Sequence, residues 1–369
     1  MRVRFSYLDR QFADIEPYLA DVRALVQTGR FTLGAPVEEF ERRFAAMCGL
    51  PHAVGVASGT DALMLTLKVL GVGPGDEVIT AANTFIATVG AIAMTGARPV
   101  LVDSTDGFTI DPRLVEAAIT ARTKALVPVH YTGNVADMPA LMDIARRRQL
   151  LVVEDACQCI GGMRDGHPVG FWGEAACFSL HPLKNLNVWG DGGLIVTGSA
   201  DLDRRLRLFR NHGLTGRDEA VVFGHNSRLD ALQAVIGSRL IDQTSFITSR
   251  RIENAARLDR GLADLAPQVR IPRRDPQVKH VYHLYVLRVE RRDELVAWLR
   301  AEGIEAKIHY PVPVHLQPAS RALGYTDGDC PQAEADSRCV ITLPAHQHLT
   351  DEEIDYMIDR VRAFYGAGS

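Results

Sequence analysis

Lys184 stands in an apolar Pro-Leu-Lys-Asn-Leu setting, with no other charged residue between Glu174 and Asp191. Upstream, the apolar run Leu151-Val152-Val153 ends in the acidic pair Glu154-Asp155. A lysine amine can condense with an aldehyde, and a carboxylate against a pyridine nitrogen keeps it protonated so that the ring accepts electrons. These two groups, one closing a strand and one just past another, are what a pyridoxal phosphate (PLP) enzyme requires. A lysine usually ends in solvent. An amine engaged in an imine needs no charge, so burial at position 184 costs less than for a free ammonium.

PLP also needs a phosphate seat. Residues 53–57 read as a short buried strand that turns through Ser58-Gly59-Thr60-Asp61 into a helix over 62–70. Such a turn leaves unpaired N–H groups, two hydroxyls and the positive end of the helix dipole at one spot. Plain N-capping by Ser58, Thr60 or Asp61 explains the same residues; beside the lysine and the acid, the phosphate reading is preferred. Phe85, in Asn83-Thr84-Phe85 after the strand 77–80, could lie on a heteroaromatic ring, or be a core residue. Gly71 to Asp76 is Gly-rich but follows a helix and lacks GxGxxG spacing, which argues against a nicotinamide enzyme.

The elements that must position these groups alternate. Strands are expected at 53–57, 77–80, 99–102, 125–129, 151–153, 175–180 and 194–197. Helices are expected at 62–70, 86–94, 111–121, 138–148 and 201–211. Alternation of this kind predicts an α/β three-layer sandwich with a mostly parallel central sheet. Ligands then collect at the carboxyl ends of the strands, where Ser58–Thr60, Asn83–Phe85, His130–Tyr131 and Asp155–Gln158 all fall. Before this block, residues 9–28 read as one helix with Ile15, Tyr18, Leu19, Val22, Leu25 and Val26 as its stripe, and Pro36 opens another. This N-terminal arm is either plain packing or a segment that reaches the site. A long helix starts at Asn226–Asp230. Prolines around 265–280 mark a boundary, giving a large domain over 1–265 and a small α+β domain over 266–369. The small domain is read as strand 281–289, helix 293–302, strand 304–308 and a helix capped near 350–353.

Composition narrows the function classes. With 47% hydrophobic and 23% charged residues the chain is an ordinary globular protein. Its formal charge of −4, without a basic block, recommends neither nucleic acid nor an anionic membrane as partner. The start lacks the unbroken apolar core of a signal peptide and no run is long enough to span a bilayer, so a cytoplasmic location is expected. The six cysteines are scattered; they read as buried thiols, and no zinc or other metal site is expected.

The ordered set of motifs resembles the DegT/StrS-type sugar aminotransferases, PLP enzymes of fold type I, over nearly the whole chain. It comprises the Gly29–Gly34 loop, Ser58-Gly59-Thr60-Asp61-Ala62-Leu63, Thr84-Phe85, and Glu154-Asp155-Ala156-Cys157-Gln158. It continues with Ser179, Lys184-Asn185-Leu186, Asp191-Gly192-Gly193 and Asn226-Ser227-Arg228-Leu229-Asp230. The resemblance implies that Lys184 binds the cofactor and shuttles the proton, that Asp155 pairs with the ring nitrogen, and that Gln158 bonds the phenolic oxygen. Phe85 would stack on the ring, and Gly59, Thr60 and Ser179 would hold the phosphate. Asn226 would serve the neighbouring subunit's phosphate site, so a homodimer with shared sites is implied. His181, Arg228, His309, Tyr310 and His315 are candidate substrate contacts.

The implied reaction moves an amino group from an amino-acid donor, L-glutamate by resemblance, to a keto sugar carried on a nucleotide diphosphate. The product is an amino sugar for a polysaccharide or a glycosylated metabolite. Two alternatives share the motifs: a cyclitol (inosose) aminotransferase, and a PLP-binding regulator without turnover. Relatives with His in place of the lysine act as dehydratases, and Lys184 argues against that chemistry.

Overall fold

The computed structural model describes residues 1–366. Seven strands form the central sheet: β1 (His52–Val56), β2 (Glu77–Ala81), β3 (Arg98–Val102), β4 (Thr123–Val127), β5 (Leu151–Asp155), β6 (Ala175–Ser179) and β7 (Gly193–Thr197). Their spatial order is β1-β7-β6-β5-β4-β2-β3. All neighbours run parallel except at β7, which is antiparallel to both β1 and β6.

Successive residues of a strand point to opposite faces, and here they divide between two apolar layers. Ile79, Leu126, Val152, Phe178 and Leu194 pack into one layer with the helices Ala35–Met47, Met138–Arg148 and Ala231–Leu240. Val78, Val127, Val153, Cys177 and Ile195 pack into the other with the helix Gly59–Val69. Both faces are therefore covered, which is why the strands read as apolar runs. A second, three-stranded antiparallel sheet joins Val269–Arg270, Tyr285–Val289 and Val340–Leu343. Its apolar cluster also takes in Val3 and the residues Ala255, Leu258 and Leu262 of the helix Thr244–Leu262.

Several elements differ from the sequence expectation. The helix expected over 9–28 is two pieces, Leu8–Gln11 and Glu16–Thr28, because Pro17 starts a helix readily and cannot sit within one. Ile15 and Val26 of the expected stripe are exposed. The helix expected from Asn226 begins at Ala231, with a further helix over Thr244–Leu262. Residues 304–308 do not form a strand. Ile304 and Ala306 are buried in alternation, but the Ala306 amide turns back to the Ile304 carbonyl and interrupts the ladder. Only single bridges remain, to Val3 and Thr342. Of the strand expected over 281–289, only Tyr285–Val289 pairs. The Val281 and Leu284 amides instead donate to the carbonyls of Gly133 and Thr132, which carries His283 toward the sheet. No helix among the described residues is long and apolar enough to cross a membrane.

Candidate active site

A cavity of about 260 Å³ opens at the carboxyl ends of β1, β5 and β6. It is lined by Gly59, Thr60, Phe85, Asp155, Gln158, Ser179 and Lys184, together with the substrate candidates His181, His309 and Tyr310. The remaining candidates lie elsewhere. His315 is buried, with Nε2 2.9 Å from Glu334 Oε1. Arg228 donates to Asn211 Oδ1 at 3.0 Å, and Asn226 is exposed on the loop beside it. None of these three lines the cavity of its own chain.

The acidic pair separates by strand alternation. Glu154, fully buried, accepts from the amides of Gly170, Trp172 and Gly173 and meets His130 Nε2 at 3.0 Å. The Ala136 amide donates to His130 Nδ1 at 3.2 Å, so the imidazole is neutral and carries its proton on Nε2. Asp155 faces the other way, into the cavity. Its Oδ2 accepts from Thr88 Oγ1 at 2.7 Å and its Oδ1 from the Cys157 amide at 3.1 Å. Thr84 Oγ1 in turn lies 2.9 Å from Thr88 Oγ1. Thr88 carries no sequence signal of its own; it lies in the first turn of the helix Ile86–Met94, and Thr84 precedes that helix's N-cap, Phe85.

Lys184 lies in the turn after β6, and its amide donates to the His181 carbonyl at 2.8 Å. Its ammonium has no hydrogen-bond or ion-pair partner among the described residues. Burial pushes its proton affinity below the ordinary lysine value, while Cys157 and Asp155 pull it the other way. The amine and the Asp155 carboxylate thus share one cavity and act on each other. Cys157 is a thiol whose burial raises its pKa well above the ordinary value, so it does not compete as a nucleophile.

The residues fit PLP on three counts. First, Ser58 caps the helix by accepting the Asp61 amide at 3.1 Å, which leaves the first-turn amides of Gly59 and Thr60 without an intrahelical acceptor. Capping by Ser58 therefore leaves those two amides free to meet a phosphate. The loop is packed so closely that a Cβ on Gly59 would lie 2.8 Å from Cys157 Sγ and Ser179 Cβ. One on Gly193 would lie 2.3 Å from the Ser58 carbonyl oxygen. Second, Phe85 is 49% exposed, so it is not a core residue; its ring is 5.7 Å from that of Tyr310 across the cavity. Third, Gln158 Oε1 accepts the Thr132 amide at 2.8 Å, which turns its NH₂ group toward the cavity and the Tyr310 hydroxyl. Burial pushes the Tyr310 phenol up to about 12, so it stays protonated.

The sequence model of the DegT/DnrJ/EryC1/StrS aminotransferase family matches residues 13–362. The chain belongs to this family. It is 46% identical to the "dTDP-3-amino-3,4,6-trideoxy-alpha-D-glucose transaminase" of Streptomyces venezuelae, over 93% of this chain and 90% of that protein. It is 40% identical to a "Pleiotropic regulatory protein" of Geobacillus stearothermophilus, over 99% of each. Its backbone superposes on that of S. venezuelae DesV, solved with a ketimine intermediate, at a TM-score of 0.96 and 43% identity, covering 98% of both chains. Other solved relatives carry PLP or its aminated form. The enzyme is a PLP-dependent aminotransferase of this family.

His283 also lines the cavity and had no sequence signal, since it sat inside an expected strand. Burial pushes its imidazole well below the ordinary value, with Lys184 and Arg251 acting in the same direction. His309 is held down to about 4 by burial, with Lys307 and Lys184 adding to it; its Nδ1 lies 2.9 Å from Thr342 Oγ1. His181 is lowered by burial and by Lys184. At neutral pH the histidines around the amine are therefore uncharged.

Proposed function

We propose that this aminotransferase moves an amino group from L-glutamate to a keto sugar linked to a nucleotide diphosphate. The observation that carries the chemistry is the convergence of Lys184, Asp155 and the Gly59–Thr60 helix start on one cavity. The name of the S. venezuelae relative supports the acceptor class. When bound, PLP withdraws electrons from the carbon that bears the nitrogen and stores the amino group between the two halves of the reaction.

The chain's own residues do the rest. The Gly59 and Thr60 amides and the Ser179 hydroxyl hold the phosphate. The Asp155 carboxylate, fixed by Thr88 and the Cys157 amide, stabilises a proton on the ring nitrogen. Phe85 covers one ring face, and Gln158 donates to the phenolic oxygen. Lys184 would hold the cofactor, and its free amine, with the ammonium disfavoured by burial, would take the proton from the substrate carbon and deliver it to the cofactor carbon a few ångström away. Neutral His181 and His309 and the protonated Tyr310 supply hydrogen bonds to the sugar. Asn226, exposed on its own chain, serves the phosphate site of a second subunit.

The test mixes holoenzyme, L-glutamate and a panel of dTDP- and UDP-linked keto sugars with inosose, and follows 2-oxoglutarate. Turnover on a nucleotide sugar that vanishes in Lys184→Ala is expected; turnover on inosose alone would move the acceptor to the cyclitols. The name of the G. stearothermophilus relative favours a second reading, a regulator. That reading predicts the visible absorbance of bound cofactor with no turnover on any acceptor. Asn226 is tested by mixing inactive Lys184→Ala and Asn226→Asp chains. Shared sites predict recovered activity in the mixture, and separate sites predict none.

A further inference from the structure

Arg251 is 2% exposed and has no carboxylate partner among the described residues. Its guanidinium lies 5.2 Å from the centre of the Tyr7 ring, and its Nη1 donates to the Tyr282 and His283 carbonyls. Its Nε donates to Gln347 Oε1 at 3.0 Å. Gln347 Nε2 donates to Gln11 Oε1 at 3.2 Å, and Gln11 Nε2 to Asn187 Oδ1 at 2.8 Å. Asn187 Nδ2 then donates to the carbonyl of Lys184 at 3.0 Å, and the Tyr7 hydroxyl fills that oxygen's second lone pair, also at 3.0 Å.

The direction of this chain is not arbitrary. A guanidinium only donates and a backbone carbonyl only accepts. With those two ends fixed, one orientation of the three amides gives every link a donor and an acceptor, and each amide donates onward toward Lys184. Hydrogen bonds aligned head to tail from a buried cation polarise one another. Arg251, Gln347 and Asn187 are buried and Gln11 is half-buried, so water reaches the chain only at Gln11. Four separate stretches of chain meet here: the N-terminal arm, the turn of Lys184, the helix Thr244–Leu262 and the loop before the last helix.

We propose that Arg251, Gln347, Gln11 and Asn187 form a one-way hydrogen-bond relay that positions the backbone of Lys184, with Tyr7 as its second clamp. The relay makes the N-terminal arm part of the site and ties the small sheet's loop to the lysine. These are positioning residues, because none lines the cavity. The proposal rests on Lys184 being the residue that binds PLP.

Gln11 provides the test, because Gln11→Glu keeps size and shape but cannot donate to Asn187. A relay predicts that Gln11→Glu lowers the single-turnover rate with L-glutamate about tenfold, the effect of one net hydrogen bond. It predicts an unchanged KM for donor, a melting temperature lowered by at most a few degrees and a displaced pH midpoint of the holoenzyme's visible absorbance. Gln11→Met, which breaks both links, should match it. If Gln11 merely fills space, neither variant changes rate or midpoint; if it merely faces a lone cation, Glu is better than Gln. Either result overturns the proposal, as does a rate loss that tracks lost melting temperature. Lys184→Ala keeps the two failures apart: persistent turnover there refutes the lysine's role, whereas dead Lys184→Ala beside wild-type Gln11→Glu refutes the relay alone.

Discussion

Gly59→Ala tests the phosphate seat through geometry alone. The added methyl would sit 2.8 Å from both Cys157 Sγ and Ser179 Cβ, about 1 Å inside ordinary contact between such atoms. Neither neighbour is the free end of a flexible chain: Ser179 ends β6 and Cys157 is held by its amide's bond to Asp155. The helix start must therefore move away from β6, separating the Gly59 and Thr60 amides from the Ser179 hydroxyl that should hold the same phosphate. A displacement of about 1 Å takes a hydrogen bond of about 2.9 Å out of its effective range. Losing one charge-assisted bond of this kind costs about 1.5–3 kcal/mol, so PLP affinity should fall about tenfold to a hundredfold. Overpacking adds about 1–3 kcal/mol of lost stability. The assay is PLP titration of cofactor-stripped protein by visible absorbance, with urea unfolding alongside. Gly90→Ala is the control. It lies in the helix Ile86–Met94 with nothing within 4 Å of its new methyl, and should stabilise by up to about 1 kcal/mol without changing affinity. Wild-type PLP affinity in Gly59→Ala would refute the seat.

Three further outcomes are expected. Thr88→Val removes the hydroxyl that donates to Asp155 Oδ2; turnover should fall about tenfold to a hundredfold with little change in melting temperature, and an unchanged rate would show that Asp155 needs no such support. Phe85→Ala, at a residue 49% exposed, should leave stability nearly unchanged but weaken PLP binding by about 0.5–1.5 kcal/mol, the worth of an aromatic contact; a large stability loss would return Phe85 to the core. Burial holds the imidazoles of His309 and His346 down to about 4 and about 3, and those of His280 and His283 well below the ordinary value. The unfolded chain takes up these protons near pH 6.5 and the native chain only far below it, so stability rises with pH through that window. The melting temperature should fall as pH drops from 7 to 5, and a flat profile would contradict the burial of neutral histidines.

Most of what builds the cavity was legible because it is local. The strands read correctly where alternate residues face two apolar layers, and Ser58–Asp61 combines a capping residue with free amides within four positions. The failures share a cause: backbone groups that pair far away in sequence. Residues 281–284 look like the start of a strand, but the Val281 and Leu284 amides turn to the Tyr131–Gly133 turn, and His283 enters the site by that diversion. Residues 304–308 alternate as a strand does, yet one local amide-to-carbonyl bond breaks the ladder. His315, in a Pro-rich stretch beside His309 and Tyr310, pairs with Glu334 instead of facing the cavity. Composition cannot tell those three neighbours apart; only the tertiary partner does.

The acidic pair shows how far one structural rule reaches. Glu154 and Asp155 are chemically alike and adjacent, and from composition either could serve the ring nitrogen. Being consecutive on β5, they must point to opposite faces. Glu154 points away from the cavity, where three backbone amides and a neutral histidine consume its lone pairs, so it is a fold-building carboxylate. Asp155 keeps acceptor capacity on the cavity side after taking one hydroxyl and one amide. Exchanging the two residues would keep charge and composition while destroying both functions. Glu at 155 is one methylene longer within the fixed Thr88–Cys157 grip, and Asp at 154 falls short of the Gly170–Gly173 amides. Such a double variant should therefore lose both activity and folding stability, and either single exchange should show which loss belongs to which face.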